Sequence, residues 1–169
     1  MNKWSIHFDS SVFLFKFDYQ NLFGYVTLAL TVFVENIESC QSYLIFRMES
    51  ENITKRIIGC AFKVHNTLGS GFLEKVYENA LCFEINQIGL KVIQQFPITV
   101  YYHNQNIGEY YADLLVNDNI IVEIKAVESI VPVYEVQLVN YLNATKKDIG
   151  LLINFGSSVE VKRKYRNYR

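Results

Sequence analysis

The segment YYADLLVNDNIIVEIKAV, residues 110–127, constrains the fold more than any other part of the chain. Two runs rich in Leu, Ile and Val flank the polar sequence NDN, and such runs are typical of buried strands joined by a turn. Asp113, Glu123 and Lys125 nevertheless lie inside these runs. Because burying a charge is costly unless it is paired or binds a metal, the segment predicts a buried hairpin whose charges are either paired or bind a metal.

A three-residue turn at NDN places Val116 opposite Ile120. Continued along both strands, this register brings Asp113 opposite Glu123. Side chains that face each other across antiparallel strands lie roughly 5 Å apart, and like charges at that distance repel. Lys125 lies two residues beyond Glu123 and therefore points to the same face. The sequence predicts two converging carboxylates with an ammonium group beside them.

Two carboxylates at this spacing suit Mg²⁺, which often takes one or two carboxylates and completes its coordination with water and substrate phosphate. Such a cation would offset the repulsion between Asp113 and Glu123. Lys125 could then orient a water molecule or stabilise charge at phosphorus. The alternative is structural: Lys125 neutralises one acid and the other carboxylate reaches solvent. The short pattern by itself leaves both interpretations open.

The chain from Met48 onward changes from helical to strand periodicity and back. It predicts one α/β domain in the order α-α-β-β-β-α-β, with a mixed four-stranded sheet flanked by helices and a basic tail, VKRKYRNYR. Ser50 or Asn52 is the expected N-cap of the first helix, and Ser70 that of the second. The predicted helices cover residues 50–69, 70–89 and 131–147, and the predicted strands cover 90–102, 107–116, 120–127 and 149–156.

Residues 1–47 differ from the rest of the chain because they are rich in aromatic residues and lack a clean period of 3.6 or 2. Since Met48 begins a well-patterned helix, we predict that residues 1–47 are an extension outside the core, either a mis-assigned upstream start or a disordered arm. The apolar run over 22–34 is too short to span a bilayer comfortably, so membrane tethering is the minor alternative.

The composition is that of an ordered globular protein and not of a disordered one. Half of the 169 residues are apolar and a fifth are charged, which is typical of a globular domain with a real core. The net charge of −1 provides no strong overall attraction to nucleic acid, so any such binding requires a local patch. Cys40, Cys60 and Cys82 lack the spacing of a zinc site, and reduced cysteines of this kind indicate a cytoplasmic protein.

From about residue 51 to 162 the chain resembles the PD-(D/E)XK nuclease superfamily, and most closely its small GxxExxY family. The motif of that name is present as GFLEKVY, with Gly71, Glu74 and Tyr77 at the named positions. The superfamily's proline before the first aspartate is Ala112 here, at a position that often varies. Further matching blocks, in the family's order, are KVHNTLGSGFLE, YYADLLV, IVEIKAV, QLVNYL and GLLINFG.

The resemblance implies a restriction-endonuclease-like core and a nuclease that depends on Mg²⁺ or Mn²⁺. The expected partner is nucleic acid, with DNA favoured over RNA. Asp113 and Glu123 would bind the metal, with the Ile124 carbonyl as a further ligand. Lys125 would orient or activate the attacking water. In related nucleases a glutamate of the first core helix adds to the metal site, and Glu74 corresponds to it.

The predicted third helix carries Gln137 and Tyr141 four residues apart on one face. This spacing resembles the Q-x-x-x-Y motif of RecB-like nucleases, which supports the site and contacts DNA. The resemblance implies that Gln137 assists catalysis and Tyr141 contacts nucleic acid; an ordinary amphipathic helix is the alternative. In the basic tail, Lys162, Arg163 and Lys164 could follow a phosphate backbone, or the tail could be a frayed, solvated end.

Two further acids lie on the predicted second helix. We interpret Glu78 as solvated, and we expect Glu84, which falls within the apolar stripe, to pair with a buried partner. The rival to a nuclease is a catalytically inactive module on the same fold that binds nucleic acid or protein. The intact charge cluster argues against this alternative, because an inactive site gains nothing from keeping buried charges that cost stability.

Overall fold

The computed structural model describes residues 22–166, and contacts divide the chain into two units, 1–45 and 46–169. The second unit holds every strand of the described residues. The elements in chain order are α1 (Leu22–Leu68), α2 (Glu74–Gln87), β1 (Val92–Tyr102), β2 (Gln105–Val116), β3 (Ile120–Lys125), α3 (Pro132–Thr145), β4 (Ile149–Phe155) and β5 (Val159–Tyr165). The strands form one sheet in the order β1-β2-β3-β4-β5.

The sheet is mixed. β3 and β4 are parallel, with α3 as the crossover connection, and all other neighbours are antiparallel. The predicted fold class, an α/β sheet flanked by helices, is confirmed, but the sheet has five strands instead of four. The additional strand is β5, which pairs with β4 from Phe155↔Val159 to Ile149↔Tyr165 and includes most of the predicted basic tail. Its four charged side chains, Glu160, Lys162, Arg163 and Lys164, are typical of an edge strand.

Hydrophobic clusters cover both faces of the sheet. On one face, Leu114, Val122 and Ile124 pack in a cluster with residues of α1 and α2. On the other face, Ile121 and Leu152 pack in a cluster with residues of α3. All seven residues of β4 are buried, which confirms the prediction of a strand covered on both faces.

The NDN turn sets the register of the central hairpin. Asn117 and Asp118 have φ angles of 46° and 58°, a left-handed conformation that Asn and Asp tolerate better than most residues. The Asn119 amide closes the turn with a 3.1 Å hydrogen bond to the Val116 carbonyl. The predicted register is confirmed for the three pairs Val116↔Ile120, Leu115↔Ile121 and Leu114↔Val122.

The predicted starts of the first two helices are wrong. Ser50 and Asn52 lie inside α1, because no glycine or proline between residues 25 and 58 interrupts the helix. The second helix begins at Glu74 after the N-cap Leu73, not after Ser70. Gly69 and Gly71, with φ angles of 73° and 104°, hold the connection in left-handed conformations that end one helix and delay the next.

The predicted extension, residues 1–47, lies partly in residues 1–21, outside the described residues. The side chains described between Thr31 and Glu49 are all exposed, and the first buried one is Ser50. None of them belongs to either hydrophobic cluster. Between residues 22 and 166, no helix is both long and apolar enough to cross a membrane.

Because these exposed side chains add nothing to the core, we expect a 48–169 chain to fold alone. Thermal melts should place its midpoint within a few degrees of that of the full chain, since surface residues away from special features contribute little to stability. A chain that starts at Gly59 is the matched control, because it lacks the buried Thr54 and Ile57 and should melt much lower. A 48–169 chain that melts as low as this control would contradict the prediction.

Candidate active site

The two central strands separate where the charges begin. The β2–β3 ladder ends at the pair Leu114↔Val122, so the direct pairing expected of Asp113 with Glu123 is not observed. Instead, Asp113 Oδ2 accepts a 2.7 Å hydrogen bond from the Ile124 backbone amide. The carboxylate thus satisfies a strand donor that would otherwise need a carbonyl partner. Asp113 lies at the split between β2 and β3.

Glu123 and Lys125 face α3. Val122 and Ile124 pack on the α1–α2 face, and side chains alternate along a strand. The Lys125 Nζ lies 3.8 Å from Glu123 Oε2 and 5.3 Å from the centre of the Tyr134 ring on α3. The structure therefore brings the predicted acid and lysine together, beside an aromatic face that attracts a cation.

Asp113 borders an open groove of about 510 Å³ on the α2 side, lined among others by Phe72, Glu74, Glu78 and Ala126. Glu74 is the first residue of α2, and its Oε1 lies 3.4 Å from the backbone amide of Ala126, which can donate to it. Since Ala126 directly follows Lys125, this contact brings the glutamate of the GxxExxY motif to the end of the charged strand.

The other two motif residues hold Glu74 in place. The Tyr77 hydroxyl donates to the Gly69 carbonyl at 2.8 Å and accepts from the Phe72 amide at 3.3 Å, so it fastens the loop before α2. The Tyr77 ring is buried and stacks on Phe155, with ring centroids 4.5 Å apart. Gly71 supplies the left-handed turn that a residue with a side chain rarely adopts. The motif therefore works as a loop anchor that sets the start of α2.

The prediction that Glu78 is solvated is wrong. Glu78 is buried, with 3% of its surface exposed, and its carboxylate accepts hydrogen bonds from Lys75 (2.6 Å), Gln94 (3.1 Å) and Gln95 (3.0 Å). The sequence does contain a signal for this placement: Glu78 follows Glu74 by four residues, and residues four apart share a helical face. Glu78 thus adds a second carboxylate from α2 to the groove beside Asp113.

Glu84 is paired, as predicted, but its partner is exposed. Its Oε2 lies 2.7 Å from the Nζ of Lys63 on α1, and the Lys63 side chain is 66% exposed. The pair joins α1 to α2 at the surface, where an ion pair contributes little stability.

The charged cluster is electrostatically costly. Burial, and after it the nearby charge of Asp113, raise the pKa of Glu123 to about 8 against the opposing effect of Lys125. Burial also raises the pKa of Asp113, although the Ile124 amide and Lys125 act in the opposite direction. The Glu123 Oε1 atom is buried without a hydrogen-bond partner. The site thus concentrates negative charge that the described side chains only partly compensate.

The donor set fits a hard divalent cation. Across residues 22–166, no group of three or more His, Cys, Asp and Glu side chains forms a ready-made metal cluster. Asp113 and Glu123 nevertheless provide carboxylate oxygens, the kind of ligand that Mg²⁺ prefers. Buried polar atoms normally have a partner, and a cation at Glu123 Oε1 would supply one.

The face of α3 that carries Tyr134 and Tyr141 borders the charged cluster. Besides the contact between Tyr134 and Lys125, the charges of Glu123, Lys125 and Asp113 all act on the Tyr141 hydroxyl, whose pKa is raised mainly by burial. The Gln137 side chain donates a 2.7 Å hydrogen bond to that hydroxyl. The Gln137 side chain therefore acts directly on the Tyr141 hydroxyl.

The three basic residues predicted to bind nucleic acid lie on β5 and have partners within the protein. Lys162 lies 3.1 Å from Glu160, and Lys164 is paired with Glu135 on α3. Arg163 points to the opposite face of the sheet, where its Nη2 donates to Thr54 Oγ1 of α1 at 2.7 Å. Lys162 and Lys164 thus share the face of the sheet that carries α3, and Arg163 does not.

A family model described as the PD-(D/E)XK nuclease superfamily matches residues 51–166. No curated protein matches the chain. Among solved structures, an alkaline exonuclease (LHK-Exo) from Laribacter hongkongensis is similar at 17% identity and a TM-score of 0.43, over 55% of this chain and 56% of that one. The structure of SSO0001 is similar at 14% identity and a TM-score of 0.42, over 56% and 50%. The chain spans about half the length of each, and likenesses this distant identify no substrate.

The raised pKa of Glu123 predicts a pH-dependent stability. Its folded-state value of about 8 exceeds the ordinary 4.5, so folding favours the protonated acid. That stability is full below about pH 4.5 and is lost as the pH rises toward 8. Because Glu123→Gln imitates the protonated acid, we expect it to raise the free energy of unfolding in EDTA by roughly 1–3 kcal/mol at pH 8 and hardly at all near pH 4.5.

Urea titrations at the two pH values measure this difference. Glu128→Gln, at an exposed position just after the charged strand, is the matched control and should change stability at neither pH. A loss of stability at pH 8 in Glu123→Gln would show that the carboxylate has a compensating partner and would contradict the prediction.

Proposed function

Since the chain belongs to the PD-(D/E)XK nuclease superfamily, we propose that it is a nuclease that hydrolyses phosphodiester bonds in nucleic acid with a bound divalent metal, Mg²⁺ or Mn²⁺. The observation that carries the proposal is the Asp113, Glu123 and Lys125 cluster at the strand split, with a buried Glu123 oxygen that lacks a donor. DNA is the proposed substrate ahead of RNA.

We propose membership of the GxxExxY family in particular. Its support is the coupled arrangement of the motif, in which Gly71 and Tyr77 shape the loop that positions Glu74. A cytoplasmic location is proposed as well, and the three free cysteines, Cys40, Cys60 and Cys82, support it because disulfides are rare in that compartment.

The proposed metal ligands are the carboxylates of Asp113 and Glu123 and the carbonyl of Ile124. Glu74 is proposed to assist metal binding, because it lines the same groove as Asp113 and contacts the backbone amide of Ala126. A divalent ion there would polarise the phosphate and promote ionisation of a water molecule. The protein contributes the rigid frame, because the bond from the Ile124 amide fixes the Asp113 carboxylate.

Lys125 is proposed to orient the attacking water and to stabilise negative charge at the phosphate. In the reaction, the water oxygen forms a new bond to phosphorus while the bond from phosphorus to the leaving oxygen breaks. The water loses one proton, and the leaving oxygen gains one. Lys125 is suited to this role because its side chain is only 15% exposed and is held between Glu123 and the Tyr134 ring.

Gln137 is proposed to support catalysis by positioning Tyr141, and Tyr141 is proposed to contact the nucleic-acid backbone. The basic residues of β5 are proposed to contribute phosphate contacts, with Lys162 and Lys164 on the α3 face as the better placed pair and Arg163 committed to Thr54.

Replacing one acid without disturbing the strand bond tests the metal site. Asp113→Asn removes a negative charge but keeps an oxygen that can accept from Ile124, so the stability of the metal-free protein should stay unchanged or rise. Calorimetric titration with Mn²⁺ should show that binding is lost, and cleavage should be lost with it. Asp113→Ala should cost roughly 1–3 kcal/mol of stability in addition, because it leaves the Ile124 amide without its acceptor.

Asp118→Asn is the control, since it makes the same change in the same hairpin at an exposed turn residue. It should bind Mn²⁺ with the affinity of the unmodified protein. Equal Mn²⁺ affinity in Asp113→Asn would refute the site assignment, and intact metal binding in a protein that cleaves no nucleic acid would favour a binding module instead.

Gln137→Ala should lower turnover by roughly ten- to a hundred-fold, because a supporting hydrogen bond contributes about 1.4–2.8 kcal/mol to the transition state. Lys125→Ala should lower it further. The melting temperature of Gln137→Ala should barely change, since the side chain is only half-buried beside an open groove. Normal turnover per folded molecule together with a large loss of stability would identify Gln137 as purely structural.

A further inference from the structure

A second groove, of about 720 Å³, lies between α3 and the β1–β2 hairpin. Its walls combine the Tyr110 ring, the aliphatic side chains of Val133 and Val136, and the amides of Asn140 and Asn143. None of its lining residues is charged. Such a groove is a poor phosphate site, because phosphate recognition depends on Lys, Arg or oriented backbone amides.

Tyr110 presents a flat surface in this groove. The residue is 50% exposed, and its ring centroid lies 6.2 Å from that of Tyr141 at an angle of 40°. A Cβ atom on Gly108 would lie 2.9 Å from Tyr110 Cε2, so only a glycine leaves room for the ring in this orientation. The backbone therefore sets where the exposed ring lies.

The groove and the charged cluster both border α3, and the charges of Glu123, Lys125 and Asp113 act on the hydroxyl of the groove residue Tyr141. Gln137 and Tyr141 line the groove, and Tyr134, one residue after the groove residue Val133, contacts Lys125. A ligand that contacts Tyr110 and Tyr141 in the groove would therefore lie next to the charged cluster. The two tyrosine rings contact each other and form one wall of the groove.

We propose that this groove binds an unpaired nucleobase of a nucleotide next to the cleaved phosphodiester, so that single-stranded nucleic acid is the substrate. A base can stack on the Tyr110 ring, while the asparagine amides can pair with its polar edge. A base within an intact duplex is stacked and paired and cannot enter such a groove without being extruded. This inference rests on the proposed nuclease function.

Binding to two oligonucleotides tests the groove. One probe is a fluorescent single-stranded DNA, and the other is an abasic strand of the same length, which keeps the phosphates and lacks the bases. Fluorescence anisotropy is measured with Mn²⁺ in a Lys125→Ala background, which should slow cleavage during the measurement. We expect the abasic strand to bind roughly tenfold more weakly, and Tyr110→Ala to bind the normal strand about as weakly as that.

Two further variants make the test specific. Gly108→Ala should weaken binding of the normal strand because the added Cβ displaces the Tyr110 ring, a shift that a flexible side chain can make without unfolding the hairpin. Tyr111→Ala is the matched control: Tyr111 is a neighbouring tyrosine with similar exposure, and it points to the opposite face of the strand. It should leave both affinities unchanged.

The groove assignment is overturned if both strands bind equally, if neither binds, or if Tyr111→Ala weakens binding as much as Tyr110→Ala. Cleavage by the unmodified chain with Mn²⁺ separates this result from the proposed function. Cleavage without a preference for the strand with bases would retain the nuclease and reject the groove. Base-dependent binding through Tyr110 without any cleavage would retain the groove and reject the nuclease.

Discussion

The hydrogen bond from the Ile124 amide to Asp113 is the interaction on which the rest of the site depends. A strand amide at the split between β2 and β3 needs an acceptor, and the Asp113 carboxylate provides it at 2.7 Å. The bond holds an acid at the end of the ladder, where β3 turns Glu123 and Lys125 toward α3. Backbone hydrogen bonding and the placement of charge are therefore a single feature of this fold.

The face with α1 and α2 provides the rigid support. Tyr77 is buried against Phe155, and its hydroxyl fastens the loop from Gly69 to Phe72, so the start of α2 and its Glu74 are fixed relative to the sheet. Glu78 extends this support, because the amides of Gln94 and Gln95 bind its carboxylate and tie α2 to β1. The residues of the GxxExxY motif thus have physical roles that do not require direct contact with a substrate.

The two grooves differ in chemistry in a way that suits the two parts of a nucleotide. The groove of Asp113, Glu74 and Glu78 is rich in carboxylates and suits a cation that in turn binds phosphate. The groove of Tyr110 and the α3 asparagines is neutral and partly aromatic, which suits a base. They border opposite faces of the sheet, and the charged strand β3 ends between them.

By itself, the sequence determined the order of the elements up to β4, the three-residue turn at NDN and the position of the charges, because periodicity and turn chemistry act over a few residues. It therefore predicted the register from Val116 to Leu114, and the alternation along β3 predicted that Glu123 and Lys125 share a face. Only the tertiary structure decided the strand split at Asp113, the burial of Glu78 by residues of β1, and the groove that Tyr110 forms with α3. The burial of Glu78 and the Tyr110 groove join different elements, and the split at Asp113 depends on how β2 and β3 pair with their outer neighbours, so no local pattern encodes these features. The strand β5 is the intermediate case, because its charged sequence is compatible with both a solvated tail and an edge strand, and only the pairing with β4 decides between them.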